Sequence, residues 1–216
     1  MTMFSIPDIQ SIYATTFDGT KTGTFGHDKS DKGTFELMVS HQNGATIYDR
    51  VTDYANGNST ERKTTITKNA DGTYSEAIVF SSNGKIKDVS AVNIAADGSV
   101  LDKTSQRYEA DGVTLGSKRV DAITTNADGS KTDNATVTSA KGAIETIAAT
   151  FVKTANGMSD SEVITNAAGK TEDINYVRSI DDGKVTQTWS GVNFAGLSFS
   201  RSVTHALHDA QHTDKA

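Results

Sequence analysis

The sequence predicts an all-β protein, an antiparallel β-meander built from about six hairpin repeats of about 28 residues each. Asn-Gly and Asp-Gly pairs, which favour tight hairpin turns, recur along most of the chain. Runs rich in Thr, Val, Ile and Tyr, which are common in strands, lie between these pairs. The turn glycines stand about 14 residues apart, the length of one strand plus one turn. The pattern leaves the shape open between an elongated or curled sheet, a sandwich and a closed barrel.

The composition limits how large the hydrophobic core can be. Just under a fifth of the 216 residues are Val, Ile, Leu or Phe, close to the level below which chains tend to be disordered. However, the formal net charge is only −6 and the chain has a single Pro, which does not fit a disordered linker. We therefore expect a folded sheet with water on one side. We favour an open or curled sheet over a barrel, since a barrel's interior would have to be filled.

The N-terminal residues 1–14 are predicted to be a capping segment. Ser5 and Pro7 suit the first turn of a short helix, and Ile6, Ile9 and Ile12 fall on one face of it. Such a helix would cover the open end of a repeat array. Residues 15–200 are then the β-hairpin repeat domain.

The C-terminal residues 201–216 are predicted to be a short helix and tail, which would cap the other end. The spacing of Val203, Ala206, Leu207 and Ala210 is helical, and the last four residues are expected to fray.

Nine Asx-Gly pairs predict two-residue hairpin turns in which both central residues have positive φ. Gly19 and Gly33 are also interpreted as turn glycines, and the whole series implies some fourteen strands. The nine pairs are residues 43–44, 56–57, 71–72, 83–84, 97–98, 111–112, 128–129, 156–157 and 182–183.

An apolar residue stands six positions before every second turn glycine, which predicts an apolar stripe across the sheet. In the run 73–80, Tyr74, Ile78 and Phe80 are expected to share one face. The run 130–138 is far more polar, so one of its faces must be solvated. The residues of the predicted stripe are Met38, Ile66, Val92, Ile123, Phe151 and Val177.

Charge and residue usage exclude several classes of function. The chain is mildly acidic and has no Lys/Arg cluster, which argues against a dedicated nucleic-acid-binding protein. It has no Cys, and therefore no disulfide, zinc-thiolate site or cysteine nucleophile. We see no cleavable signal peptide and no apolar run long enough for a membrane-spanning helix.

Two groups of residues are candidate metal ligands. On a helix, the imidazoles of His205, His208 and His212 would lie along one face and could share a metal ion, although a polar helix face explains them equally well. The turn acids would line one edge of the sheet, but a tight turn offers too few oxygens for calcium. We therefore assign no metal ligand. The turn acids are Asp71, Asp97, Asp128 and Asp182.

No constellation of catalytic residues is recognisable, and we assign neither catalytic nor cofactor-binding residues. There is no Gly-x-Ser-x-Gly elbow, and His27 and His41 are isolated. The carboxylate pairs Asp181-Asp182 and Glu172-Asp173 lie in or near turns. Aromatic side chains could stack sugars on an exposed face, although cross-strand packing is their more common role. These aromatic residues are Trp189, Tyr48, Tyr54, Tyr74, Tyr108 and Tyr176.

The predicted function is that of a non-enzymatic structural or interaction protein, such as a matrix, fibre or adhesin-like β-repeat module. Its expected partners are further copies, through the sheet edges, and a carbohydrate or surface ligand. Its expected location is extracellular or at the cell surface without a cleavable signal peptide, with the cytoplasm as the alternative. The alternative function is a carbohydrate- or small-ligand-binding β-sheet or barrel protein, and an enzyme comes third.

Overall fold

The computed structural model describes residues 18–25 and 33–206. In these residues the chain forms a single antiparallel sheet of fourteen strands in chain order, with no helix. The sheet is not closed, and β1 (Gly19–Phe25) and β14 (Ser198–Ala206) are its two edge strands. The predicted meander of hairpins is therefore confirmed. The predicted N-terminal helix lies outside the described residues.

The strands are seven to eleven residues long, and short turns connect those from Gly33 onward. The first seven are β1 (Gly19–Phe25), β2 (Gly33–Gln42), β3 (Ala45–Tyr54), β4 (Ser59–Lys68), β5 (Tyr74–Ser82), β6 (Lys85–Ile94) and β7 (Val100–Tyr108). The others are β8 (Leu115–Thr125), β9 (Lys131–Ser139), β10 (Ile144–Thr154), β11 (Gly157–Thr165), β12 (Thr171–Asp181), β13 (Lys184–Val192) and β14 (Ser198–Ala206).

The chain divides into two compact units. Unit 1 extends to Ile123 and also includes Thr136–Ala143. Unit 2 consists of Thr124–Ala135 and the chain from Ile144 onward.

Three of the nine Asx-Gly pairs form the predicted two-residue turn. In Asn43-Gly44 the φ angles are 51° and 78°, so both central residues have positive φ. The same conformation occurs at Asn83-Gly84 and Asp182-Gly183. Positive φ at both centres gives the turn a twist that matches the strands, as the sequence predicts for such a pair.

Five other pairs form a longer turn, so the prediction of a two-residue turn is wrong for them. In the turn at Asn69-Ala70-Asp71-Gly72, only the glycine has positive φ, and the Gly72 N–H donates to the Asn69 carbonyl over 3.1 Å. The Asn69 N–H donates to the Thr73 carbonyl over 2.8 Å, which closes a turn of the bulged type. The other four contain Gly57, Gly98, Gly112 and Gly129.

Three predicted turn glycines lie inside strands instead. Gly19 and Gly33 are the first residues of β1 and β2, and Gly157 begins β11. The β10–β11 turn consists of residues 155–156, one position earlier than predicted. A Cβ atom at Gly157 would collide with the carbonyl oxygen of Arg178 on β12, so close backbone approach explains this glycine.

One face of unit 1 is buried and the other is exposed. Ile66 lies opposite Thr46 on β3 and opposite Glu76 on β5, and Glu76 lies opposite Val92 on β6. Ile66 is fully buried and Thr46 and Val92 are nearly so, whereas Val51 and Val79 on the other face are exposed. The sheet therefore has the half-wet character that its polar strands predict. In β5, Tyr74, Ile78 and Phe80 lie on the buried face, as predicted.

The predicted apolar stripe is correct for Ile66, Val92 and Ile123 but wrong at both ends. His41 of β2 pairs with Thr46 and so belongs to the buried face. Met38 is three positions from His41 along the strand, an odd number, and therefore lies on the exposed face. In unit 2, Phe151 lies in register with Tyr176, so Val177 points to the opposite face.

The prediction of a helix after residue 200 is wrong for the described residues. Ser198–Ala206 is strand β14, which pairs with β13 along its full length. Val203 and Ala206 therefore lie on a strand. In this strand Ser and Thr alternate with the larger residues Phe199, Arg201, Val203 and His205. Leu207 and Ala210 lie outside the described residues.

Candidate functional site

The turn acids accept hydrogen bonds from their own turns. Asp71 Oδ1 accepts a bond from the backbone N–H of Thr73 over 3.0 Å and another from its hydroxyl over 2.6 Å. The same two bonds join Asp97 to Ser99, and Asp128 to Ser130. The hydroxyl bond, followed by the backbone bond, lowers the pKa of Asp71 and of Asp128. These carboxylates act in turn closure.

Asp111 shows the strongest case of this turn chemistry. Its carboxylate accepts the hydroxyl of Thr114 at 2.5 Å and the backbone N–H groups of Val113 and Thr114 at 3.0 and 2.9 Å. These bonds, led by that from the Thr114 hydroxyl, lower the pKa of Asp111 to about 2. Asp182 instead occupies a two-residue turn with φ of 47°.

His205 of the candidate histidine cluster lies on a strand and not on a helix. His205 lies on β14, directly opposite Val185 of β13, and His208 and His212 lie outside the described residues. His27 also lies outside them. His41 Nδ1 is 3.2 Å from Thr46 Oγ1 beside the β2–β3 turn. Among the residues that the structure describes, no group of three or more His, Asp or Glu side chains could hold a metal ion.

The paired carboxylates do not form a catalytic pair. Glu172 and Asp173 are consecutive residues of β12, so their side chains point to opposite faces. Asp181 ends β12 and Asp182 is in the exposed turn that follows.

Only one of the candidate tyrosines lies beside Trp189. Tyr48, Tyr54 and Tyr74 belong to the buried face of unit 1. Tyr108, at the end of β7, donates its hydroxyl to Gln106 over 3.3 Å. Tyr176 of β12, by contrast, lies directly opposite Trp189 of β13, and their ring centroids are 5.3 Å apart at an interplanar angle of 41°.

Tyr176 and Trp189 belong to a continuous row of side chains in unit 2. Phe151 of β10 lies opposite Asp160 of β11, and Asp160 lies opposite Tyr176. Directly paired residues of antiparallel strands project from the same face, so these four side chains are neighbours on one face. We call Phe151, Asp160, Tyr176 and Trp189 the aromatic row. The Gln187 amide donates to the Tyr176 hydroxyl over 2.9 Å and fixes that ring.

Asp160 has an unusual environment for a carboxylate. It stands between two aromatic rings, and its Oδ1 atom is buried without a hydrogen-bond partner among the described residues. Burial, and secondarily the negative charge of Glu162 two residues along β11, raise its pKa to about 6. Sequence reasoning missed Asp160, because a single Asp within Ser159-Asp160-Ser161 gives no motif. Strand register was needed to place it between Phe151 and Tyr176.

Comparison of the chain with protein-family models, with curated proteins and with solved structures finds no match. In the described residues, no helix is both long and apolar enough to span a membrane. The sheet edges and the aromatic row are the candidate functional surfaces of the described chain.

Proposed function

We propose that the protein is a non-enzymatic structural protein that associates with further copies of itself through the edge of its sheet. The observation that carries this proposal is the edge strand β14. This strand is nine residues long and pairs with β13 on one side, and no described strand pairs with its other side. An edge of this kind presents a row of backbone N–H and C=O groups that another strand can complete.

The side chains of β14 do little to block such pairing. Natural edge strands are commonly protected by Lys, Pro or a bulge. The sequence of β14 has neither Lys nor Pro, and Arg201 is its only residue of the Lys, Arg, Asp and Glu group. Its register with β13 has no irregularity. Eight of its nine residues are exposed.

Hydroxyl pairs hold β14 to β13, and pairs of the same kind would support the addition of a further strand. Thr186 and Thr204 lie with their Oγ1 atoms 3.0 Å apart, and Thr188 and Ser202 make the same kind of contact at 3.0 Å. Cross-strand pairs of this type each contribute some tenths of a kcal/mol to sheet pairing. A second copy of the chain offers the same strand, so it is the partner that fits this edge.

The test replaces two exposed serines of the edge, Ser200→Lys and Ser202→Lys, in one variant. Wild-type protein is expected to form larger species as its concentration rises, measured by size-exclusion chromatography with light scattering. The lysine variant should remain monomeric, since lysine side chains on an edge strand oppose pairing with a further strand. The matched control is Ser161→Lys on the interior strand β11, which should assemble like the wild type. A wild-type protein that stays monomeric at several hundred micromolar would overturn the proposal.

The expected setting of such a structural protein is extracellular or at the cell surface. Immunolabelling of intact cells, compared with permeabilised cells, tests this location. Labelling only after permeabilisation would place the protein in the cytoplasm instead.

A further inference from the structure

We propose that the aromatic row of unit 2 is a binding platform for a neutral saccharide chain. This inference uses strands β10–β13 and does not depend on the edge of β14. Either proposal can therefore fail while the other holds.

The geometry of the row suits an extended ligand lying across the strands. Phe151, Asp160, Tyr176 and Trp189 occupy successive strands in direct register. Three inter-strand spacings separate the ends of the row, roughly 14 Å, which is the length of a short oligosaccharide. Tyr176 and Trp189 are both half-buried, so part of each ring faces solvent. Aromatic rings that are fixed in place and partly exposed can stack against the C–H faces of sugar rings.

Asp160 supplies the polar group that such a site needs. Its Oδ1 atom is removed from water and receives no hydrogen bond within the described part of the chain. Leaving a buried acceptor unpaired is costly, and a ligand donor would remove that cost. Asp49 and Asp121 also have one oxygen of this kind, but strand register places Asp160 between the rings of Phe151 and Tyr176. A sugar hydroxyl is a donor of suitable size for Asp160.

The charges around the row favour a neutral ligand over a charged one. Register places Glu162, Lys153 and Arg178 on the same face, adjacent to the row on β11, β10 and β12. Arg201 of β14 lies opposite Trp189 on this face. Neighbouring charges of both signs would oppose a polyanion and a polycation alike. They offer donors and acceptors to hydroxyl groups, each of which can both donate and accept.

A glycine leaves space beside the Trp189 ring. Gly191 follows Trp189 by two positions, so it lies on the same face next to the row. At Gly191 a Cβ atom would collide with the carbonyl oxygen of Asp173, which keeps this position bare. A ligand can therefore approach the flank of Trp189 without meeting a side chain at position 191.

The test uses Trp189 itself, since it is the only tryptophan of the chain and its fluorescence reports on the site directly. Full-length protein is titrated with three neutral probes, cellohexaose, chitohexaose and maltohexaose, and with spermine and a heparin oligosaccharide as charged comparators. We expect at least one neutral hexasaccharide to change the Trp189 emission saturably at or below millimolar concentration. Asp160→Asn should weaken that binding about tenfold or more, because a hydrogen bond to a charged acceptor is lost.

The matched control is Asp173→Asn, which changes an exposed acid on the opposite face of β12 and should leave binding unchanged. Circular dichroism checks that both variants stay folded. The proposal is overturned if no neutral probe alters the Trp189 emission, or if only spermine or heparin does. Equal binding by Asp160→Asn and wild type would also overturn it.

Discussion

At the scale of single residues, hydrogen-bonded Asp side chains determine much of this structure. Asp71, Asp97 and Asp128 each accept bonds from the residue that follows the turn glycine. In these three turns the residue after the glycine is Thr or Ser, and its hydroxyl gives the second bond. Asp160 is the opposite case, a carboxylate without such donors. Asp71, Asp97 and Asp128 stabilise the folded chain when they are ionised, whereas ionised Asp160 destabilises it.

Asp160 predicts a dependence of stability on pH. Its pKa is raised to about 6 in the folded protein from an ordinary value of 3.8. Below pH 3.8 the carboxyl group is protonated in both the folded and unfolded states, so it does not reduce the free energy of unfolding. As the pH rises from 3.8 to 6 only the unfolded state ionises readily, so stability falls, and above about pH 6 the full cost is present.

Asp160→Asn should therefore be more stable than the wild type at pH 7.5 and equal to it near pH 4. The carboxyl still contacts solvent, which reduces the gain to about 1 kcal/mol, or about 2–4 °C in Tm. Thermal melts of both proteins at the two pH values measure this difference. An equal gain at pH 4 and pH 7.5 would contradict the assignment, because an effect of packing alone does not follow the titration.

At the scale of elements, the two kinds of turn decide which face each strand presents. Asn43-Gly44 forms a two-residue turn, whereas Asn69–Gly72 forms a longer one. The residue six positions before the glycine therefore projects from a different face in the two cases. Met38 and Ile66 therefore face opposite sides although both stand six residues before a glycine. The strand positions were predictable from the sequence because Asx-Gly pairs mark the reversals. The face of each strand was not, since it depends on the turn type.

The candidate site was less predictable than the fold. Trp189 and Tyr176 were recognisable as aromatic candidates, but their pairing depends on the register between β12 and β13. Asp160 carries no local pattern at all. The C-terminal spacing of Val203 and Ala206 suits a helix, yet pairing with β13 along nine residues outweighs that weak local preference.

Hydrogen bonds that join the β5–β6 turn to the end of the β3–β4 turn can be tested by mutation. Asn83, in the β5–β6 turn, has φ of 50° and accepts the Ser59 N–H at its Oδ1 over 2.8 Å. Its amide also donates to Asn58 Oδ1 over 3.1 Å. Asn83→Ala should cost about 2 kcal/mol, because it loses these bonds and strains the backbone at positive φ.

Asn83→Gly is the matched control, since glycine accepts positive φ and loses only the side-chain bonds. Its expected cost is about 1 kcal/mol. Urea denaturation of the three proteins gives the comparison. Equal stability of Asn83→Gly and wild type would show that the bonds between these turns contribute nothing.

At the scale of the whole molecule, a single sheet of consecutive hairpins leaves two edge strands and exposed faces on which function can lie. The apolar content of the chain is too low to cover both faces, and the exposed side of each unit carries Thr, Ser and isolated Val residues. On its outer side, the edge strand β14 carries a row of backbone N–H and C=O groups that no described strand pairs with. Self-association through that edge would give these backbone groups a strand partner.

Backbone hydrogen exchange of β14, measured as a function of protein concentration, tests self-association through this edge. At low micromolar concentration, the amides of Ser198–Ala206 that do not bond to β13 should exchange rapidly. At several hundred micromolar the same amides should become protected, while those of the interior strand β12 remain unchanged. Rapid exchange of these β14 amides at every concentration would contradict edge pairing.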